Sequence, residues 1–302
     1  MITAFACWTR YQPHCDDHYK SYERLFDIYY SRWSHRIHEY WACDIDHELK
    51  GFSKLRDIKE TNLMHWDAMG KYLKQIKTDV ILITDSDTII YSDDVFRIAE
   101  GKLKDYDVVS ILDNSGKYDL FPANENRDVR RRIAPYLCFI KRDALLSTSL
   151  DFTPVNGEYD SFGRVTHELV KNGAKIYDLE DDRTSVFLND DNKITIESWL
   201  DTPNFKWSYA GKNLGYYHVR NYSMALTMLG DYKTNKEAYL QRKSIIPRRE
   251  LLRLLAWLWI IDDKTGFQNY HPEILTIVND VKVSNLWTDY INKFREVHAW
   301  LK

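Results

Sequence analysis

The fold turns on one run, Val80-Ile81-Leu82-Ile83-Thr84-Asp85-Ser86-Asp87. Four aliphatic residues between Asp79 and Thr84 make a continuous apolar strand, of the kind buried on both faces of a parallel sheet. The run ends on two carboxylates one residue apart. In extended backbone the side chains of i and i+2 point the same way, so Asp85 and Asp87 can approach one point. Two neighbouring anions are costly unless a cation neutralises them. Oxygen ligands suit Mg2+ or Mn2+, and either can bridge a diphosphate. The carboxyl ends of parallel strands are also where open α/β sheets bind ligands. The plain alternative is a surface turn, which Asp and Ser both favour.

Working toward the N-terminus, residues 62–77 carry Leu63, Trp66, Met69, Leu73 and Ile76 at helical spacing, with Thr61 or Asn62 as cap. Residues 37–44 read as a strand, residues 16–33 as a helix through Tyr19, Tyr22, Leu25, Phe26 and Tyr29, and residues 2–8 as the first strand. Strand, helix, strand, helix, strand at this spacing predicts a doubly wound α/β domain with a mostly parallel sheet.

Toward the C-terminus, Asp107 to Leu112 and Ala134 to Lys141 read as strands. Residues 160–172 form a helix with Phe162, Val165 and Leu169 inward, stopped by Gly173, and Ala174 to Leu179 is the next strand. Residues 113–133 and 189–213 are polar and punctuated, as long functional loops are. After about residue 220 the pattern becomes helical, over 221–230, 233–244, 248–262, 271–281 and 284–300. The expected organisation is a domain over 1–220 and a helical extension over 221–302.

The 302 residues carry a formal net charge of −3, which provides no overall basic field for nucleic acid. Basic residues cluster locally at Arg130 to Arg132 and between Arg242 and Arg253, where a solvated face is the ordinary account. Aromatics reach 14%, enough to supply large core side chains and to line a cleft that stacks sugars and bases. Cys7, Cys15, Cys43 and Cys138 form neither a CxxC pair nor a zinc spacing, and read as reduced thiols of a cytoplasmic protein. The apolar start ends at Trp8-Thr9-Arg10, too early for a signal peptide, and no run reaches a bilayer span.

With its flanks, Lys77 to Asp87 resembles the DxD region of the GT-A glycosyltransferases, over roughly residues 1–220. The resemblance implies the Rossmann-like GT-A fold, a nucleoside-diphosphate sugar as donor and Mn2+ or Mg2+ as cofactor. It makes Asp87 the main metal ligand, and puts Asp85 on the ribose, a metal water or the metal itself, with Ser86 also at the donor. In Gly215-Tyr216-Tyr217-His218-Val219-Arg220, His218 matches a late histidine that completes the metal site, and Arg220 would neutralise diphosphate charge. In Asn156-Gly157-Glu158-Tyr159-Asp160, the family's inverting branch implies an acceptor base, Asp160 first and Glu158 second. Equally, Asp160 would serve as the cap of the helix that starts there. Thr9 and Arg10 after the first strand, and Asp44 or Asp46 after the second, match base-contacting positions. Arg56, Asn62, His65 and Asp67 fall where the donor is cradled.

The implied acceptor is the hydroxyl of a glycan or lipid-linked glycan, with a hydroxylated DNA base as a further alternative. Arg248 to Trp259, mixing Arg with Leu and Trp, has the composition of a membrane-surface helix or of a packed one. Three rivals exist. A haloacid-dehalogenase phosphatase would also use Asp85 and Asp87, but position 89 is Ile where its motif has Thr or Val. A sugar nucleotidyltransferase would have a glycine-rich phosphate loop after the first strand, and residues 8–18 contain no Gly. The third is a binding protein without catalysis.

Overall fold

The run at 80–85 is a strand at the centre of a seven-stranded sheet. The computed structural model describes residues 1–7, 33–43, 55–58, 65–85, 88–90, 92–113, 132–154, 161–179, 209–211, 216–218, 235–245 and 292. The helices expected at 16–33 (apart from Trp33), 221–230, 248–262 and 271–281 lie outside them, as does most of that expected at 284–300. Two compact units are present. The first holds Met1–Thr9, Ser31–Thr88 and Ser92–Thr184, and the second Arg10–Tyr30, Ile89–Tyr91 and Ser185–Lys302.

In the first unit the strands are β1 (Ile2–Cys7), β2 (Ile37–Cys43), β3 (Leu55–Ile58), β4 (Val80–Asp85), β6 (Val108–Asp113), β7 (Arg132–Lys141) and β8 (Ile176–Asp178). Their order is β3-β2-β1-β4-β7-β6-β8. All neighbours are parallel except β7, which runs antiparallel to both β4 and β6. The chain builds outward from β1 through β2 to β3, then returns to place β4 on the other side of β1. The strand order therefore reverses between β1 and β4. This is the mostly parallel α/β architecture that the strand–helix alternation predicted.

Helices cover both faces because buried strands need apolar cover on each side. On one face, Phe5, Ile81, Ile83, Cys138 and Ile140 pack under α1 (His65–Tyr72) and α4 (Gly163–Lys171), which contribute Met69, Tyr72, Val165 and Leu169. On the other, α2 (Asp94–Lys102) sets Phe96 edge-on to Phe139, with ring centroids 5.7 Å apart, and against Trp33 at 5.3 Å. The register explains the division. Ile83 faces Cys138 and Leu82 faces Phe139, so alternate residues of β4 and β7 feed opposite layers. Each of these large side chains adds about 1.5–3 kcal/mol by leaving water.

The expected helix at 62–77 is α1 followed by a 3-10 turn, Leu73–Gln75. The one at 160–172 is α4, and Gly173 stops it as expected. With φ 81°, Gly173 lets its own N–H reach Val170 O and the Ala174 N–H reach Leu169 O. Those two bonds close the helix end in a Schellman arrangement. A short helix, α3 (Arg142–Leu146), follows β7 directly.

A second sheet has the order β5-β10-β9, from β5 (Thr88–Ile90), β10 (Tyr216–His218) and β9 (Tyr209–Gly211); all of it but Thr88 belongs to the second unit. The β9 and β10 strands are antiparallel, with His218 opposite Tyr209. Strand β9 falls inside the stretch expected to be loop at 189–213. The described part of the helical extension is α5 (Lys236–Ile245), close to the helix expected at 233–244.

Candidate functional site

Asp85 closes β4 and pairs with Cys7, which closes β1. Both strands end together where the strand order reverses, the position at which open α/β sheets leave a crevice for ligands. The backbone there is held on both sides, by parallel β1 and by antiparallel β7. Just before it, buried Thr84 donates its hydroxyl to Tyr136 O at 3.1 Å, which fixes the strand end against β7. Asp85 itself is half-buried. Ser86 and Asp87 lie outside the described residues, and β5 begins one residue after Asp87.

The same sheet edge collects other candidates. Helix α1 leads from the end of β3 to the start of β4, so its first residue, His65, lies at the carboxyl edge of the sheet. Helix α4 leads to β8, which puts its N-terminus at that edge too. Strand β7 runs the other way, so it starts there with Arg132. These three starts meet at Ser161. The Ser161 hydroxyl is 3.0 Å from His65 Nε2, and Arg132 Nη1 donates to Ser161 O at 3.2 Å. Ser161 is fully buried and Arg132 nearly so.

This corrects the reading of Arg130 to Arg132 as one solvated cluster. Strand β7 begins at Arg132 and carries its guanidinium inward to a carbonyl, while Arg130 and Arg131 lie outside the described residues. The cap position of α4 also differs from the sequence expectation. It is Phe162, in the left-handed region at φ 92° and without a side-chain cap bond, rather than Asp160. A left-handed non-glycine residue costs roughly 1–2 kcal/mol, and the buried ring of Phe162 against Phe152, centroids 4.9 Å apart, offsets it. The Phe162 carbonyl also accepts the Thr166 hydroxyl at 2.7 Å. That hydroxyl in turn accepts the Ile133 N–H at 3.1 Å, tying α4 to β7.

Of the other candidates, Asp67 is exposed on α1, and Arg56 lies in β3, paired with Trp41 of β2. Thr9, Arg10, Asp44, Asp46, Asn62, Glu158, Asp160 and Arg220 lie outside the described residues. His218 ends β10, the neighbour of β5. Among the described residues no three His, Cys, Asp or Glu side chains form a metal set. The Asp87 carboxylate and the His218 imidazole are not among the side chains described. Carboxylate oxygens such as those of Asp85 suit a hard divalent cation, Mg2+ or Mn2+.

A cleft of about 460 Å3 lies elsewhere, lined by Lys77, Asp79, Asp107, Lys141, Arg142 and Asn172 among others. These residues sit where β4 and β6 start and β7 ends, so the cleft is at the opposite edge, about 17 Å from Asp85 along β4. The contact of Ser161 with His65, 96 residues apart, left no mark in the sequence. His65 was a candidate only through its place before a buried strand, where the resemblance puts the donor cradle.

No protein-family model and no curated protein matches this sequence. Among solved structures, the chain is similar to S. aureus TarS residues 1–349 in complex with UDP-GlcNAc, at 12% identity and TM-score 0.41, covering 99% of this chain and 90% of that one. Mannosyltransferase PcManGT from Pyrobaculum calidifontis, in complex with GDP-Man and Mn2+, aligns at 13% identity and TM-score 0.38, covering 100% and 87%. The bifunctional IspDF from Campylobacter jejuni aligns at 11% identity and TM-score 0.37, over 60% of this chain and half of the other. Among the described residues no helix is long and apolar enough to cross a membrane.

Proposed function

We propose that this protein is a glycosyltransferase that moves a sugar from a nucleoside-diphosphate sugar to an acceptor hydroxyl with the help of a divalent cation. One observation carries the reading. Asp85, followed in sequence by Ser86-Asp87, ends a buried central strand where the strand order reverses. Asp85, Asp87 and His218 are the proposed metal ligands. His218 is included on its sequence resemblance to the family's late histidine. The cation would stabilise negative charge on the departing diphosphate. Arg220 adds a guanidinium to the phosphates, and Thr9, Arg10, Asp44 and Asn62 hold the nucleoside.

Asp160 is the proposed base for the acceptor hydroxyl, with Glu158 second. That Phe162 rather than Asp160 occupies the α4 cap supports Asp160 having a role of its own. Residues 221–302 form the proposed helical extension, and Arg248 to Trp259 within it the acceptor-side surface for a glycan or lipid-linked glycan.

The test is a thermal-shift screen of nucleotide-sugars with and without Mn2+ or Mg2+. A true donor at 100 times its Kd stabilises by about 2.7 kcal/mol. That gain should vanish when the metal is chelated and in Asp87→Ala, which should also lose transfer while remaining folded. Full activity in Asp87→Ala would refute the reading. Turnover of p-nitrophenyl phosphate without nucleotide-sugar binding would favour the phosphatase.

A further inference from the structure

Three separate restraints converge on Ser161 and Phe162, the two residues that directly follow the candidate base in sequence. The Ser161 hydroxyl meets His65 Nε2 at 3.0 Å, the Ser161 carbonyl accepts from Arg132 at 3.2 Å, and Phe162 is held left-handed by its buried ring. Each restraint comes from a different element, namely the start of α1, the start of β7, and the 147–154 segment that carries Phe152. That segment is itself fastened to α4. Ser149 bonds both carboxylate oxygens of Glu168, at 2.6 and 2.8 Å, and Arg164 pairs with Asp151. A solvent-facing helix start has no need of such bracing, because water satisfies its N–H groups and its cap can relax.

A Ser–His contact at 3.0 Å also has the geometry of a nucleophile with its base. Ser161 has no exposed surface, which leaves its hydroxyl out of reach of a substrate. Its role is to be held.

We propose that His65, Ser161 and Arg132 form a clamp that fixes the position of Asp160, making His65 a positioning residue for the acceptor-side base. The proposal rests on the glycosyltransferase reading and deepens it. Asp160 is joined to Ser161 by one peptide bond, so holding the Ser161 hydroxyl and carbonyl anchors the Cα to which the planar Asp160–Ser161 peptide unit is attached. A base displaced by about 1 Å can lose up to 100-fold in rate, because proton transfer needs hydrogen-bond distance in the reactive geometry. Donor binding, assigned to Asp85 at the end of β4 and to the Ser86-Asp87 that follows it in sequence, does not pass through the clamp. The effect therefore falls on kcat and not on the donor KM. This differs from the alternative that His65 cradles the donor directly, in which KM would rise.

The experiment compares His65→Ala, His65→Gln, Ser161→Ala and the double alanine variant in the full chain. Assays use the donor and acceptor identified for the wild type, with Asp160→Asn in parallel. Each alanine variant is expected to lose about tenfold in kcat with donor KM within twofold. Glutamine places a polar nitrogen near the Nε2 position and should recover most of the loss. The double variant should fall no further than either single one, because one interaction is removed. Hydrogen exchange over 161–166 should speed up in His65→Ala, a readout that needs no substrate. Wild-type kcat in the alanine variants, a rise in KM alone, or unchanged exchange would overturn the clamp. So would labelling of Ser161 by a fluorophosphonate. Full transfer by Asp160→Asn would refute Asp160 as base, and the clamp's catalytic role with it. Loss in Asp160→Asn beside normal His65 variants would refute the clamp alone.

Discussion

Gly70 and Gly101 both lie in helices, and the structure assigns Gly→Ala opposite signs at the two sites. In an open helix this change favours folding by about 1 kcal/mol, because alanine has less backbone freedom to lose. At Gly101 a Cβ would meet nothing within 4 Å, so Gly101→Ala should stabilise by about 0.5–1 kcal/mol. At Gly70 a Cβ would come 2.9 Å from the carbonyl oxygen of Leu150. That oxygen is backbone and cannot swing away. Leu150 sits at φ 57°, its N–H bonded to Thr148, and the preceding residue is tied to Glu168. Relief must come from moving α1, whose Ala68 and Met69 are buried in the core. Overpacking of this kind costs about 1–3 kcal/mol, which exceeds the propensity gain and leaves Gly70→Ala destabilised by about 1 kcal/mol. The two variants should then differ by about 1.5–2 kcal/mol, or roughly 5 °C in Tm for a chain of this size. Thermal unfolding followed by circular dichroism on both variants and the wild type measures it. If Gly70→Ala melts at or above Gly101→Ala, the contact between α1 and the 147–154 segment is not as described.

Asp107 joins three strands at the far edge of the sheet. Its carboxylate accepts the Lys175 N–H at 3.0 Å and Lys141 Nζ at 3.1 Å, and these partners, the backbone bond first, hold it below the usual carboxylate range. A depressed folded pKa gives stability that is complete above the unfolded value and is lost as pH falls through the folded one. Asp107→Asn should therefore be less stable at pH 7 by about 1 kcal/mol at this partly exposed edge, with the gap closing below about pH 4. Denaturant titrations at pH 7 and pH 3 check both halves, and an equal gap at both values refutes the charge argument. Burial pushes the Cys138 thiol up to about 12, so iodoacetamide at pH 8 should leave it unmodified until the protein unfolds. Peptide mapping of the native protein reads this directly.

The sheet was legible where one residue pattern admits one structure. Val80 to Thr84 announces a buried strand, the spacing of Met69 and Leu73 a helix, and Gly173 a helix stop, and all three are present. The direction of β7 was not legible. Ala134 to Lys141 is apolar on both faces, and such a run has the same composition whichever way it points. The short strands β3, β5 and β9 were missed because three or four residues make too little pattern to stand out from a loop. Arg132 was misread because a charge run suggests solvent, while tertiary placement buried its last member against a carbonyl. At the site, the place of Asp85 at the end of β4 was legible from the apolar run before it. The meeting of His65, Arg132 and Ser161 depends on three elements finishing or starting at one edge, which no local window contains.

The reversed strand β7 has a consequence for the order in which the protein is made. On the ribosome, β1 to β4 emerge first, and β4 can pair at once with β1. Its other side has no partner until residues 137 to 141 have been synthesised, more than fifty positions later. Throughout that interval the nascent chain presents Val-Ile-Leu-Ile as an unpaired edge, the kind of surface that recruits other strands and that chaperones cover. Slowing elongation between codons 85 and 141 should thus lower the soluble yield more than the same delay placed after residue 179, where the sheet is already closed.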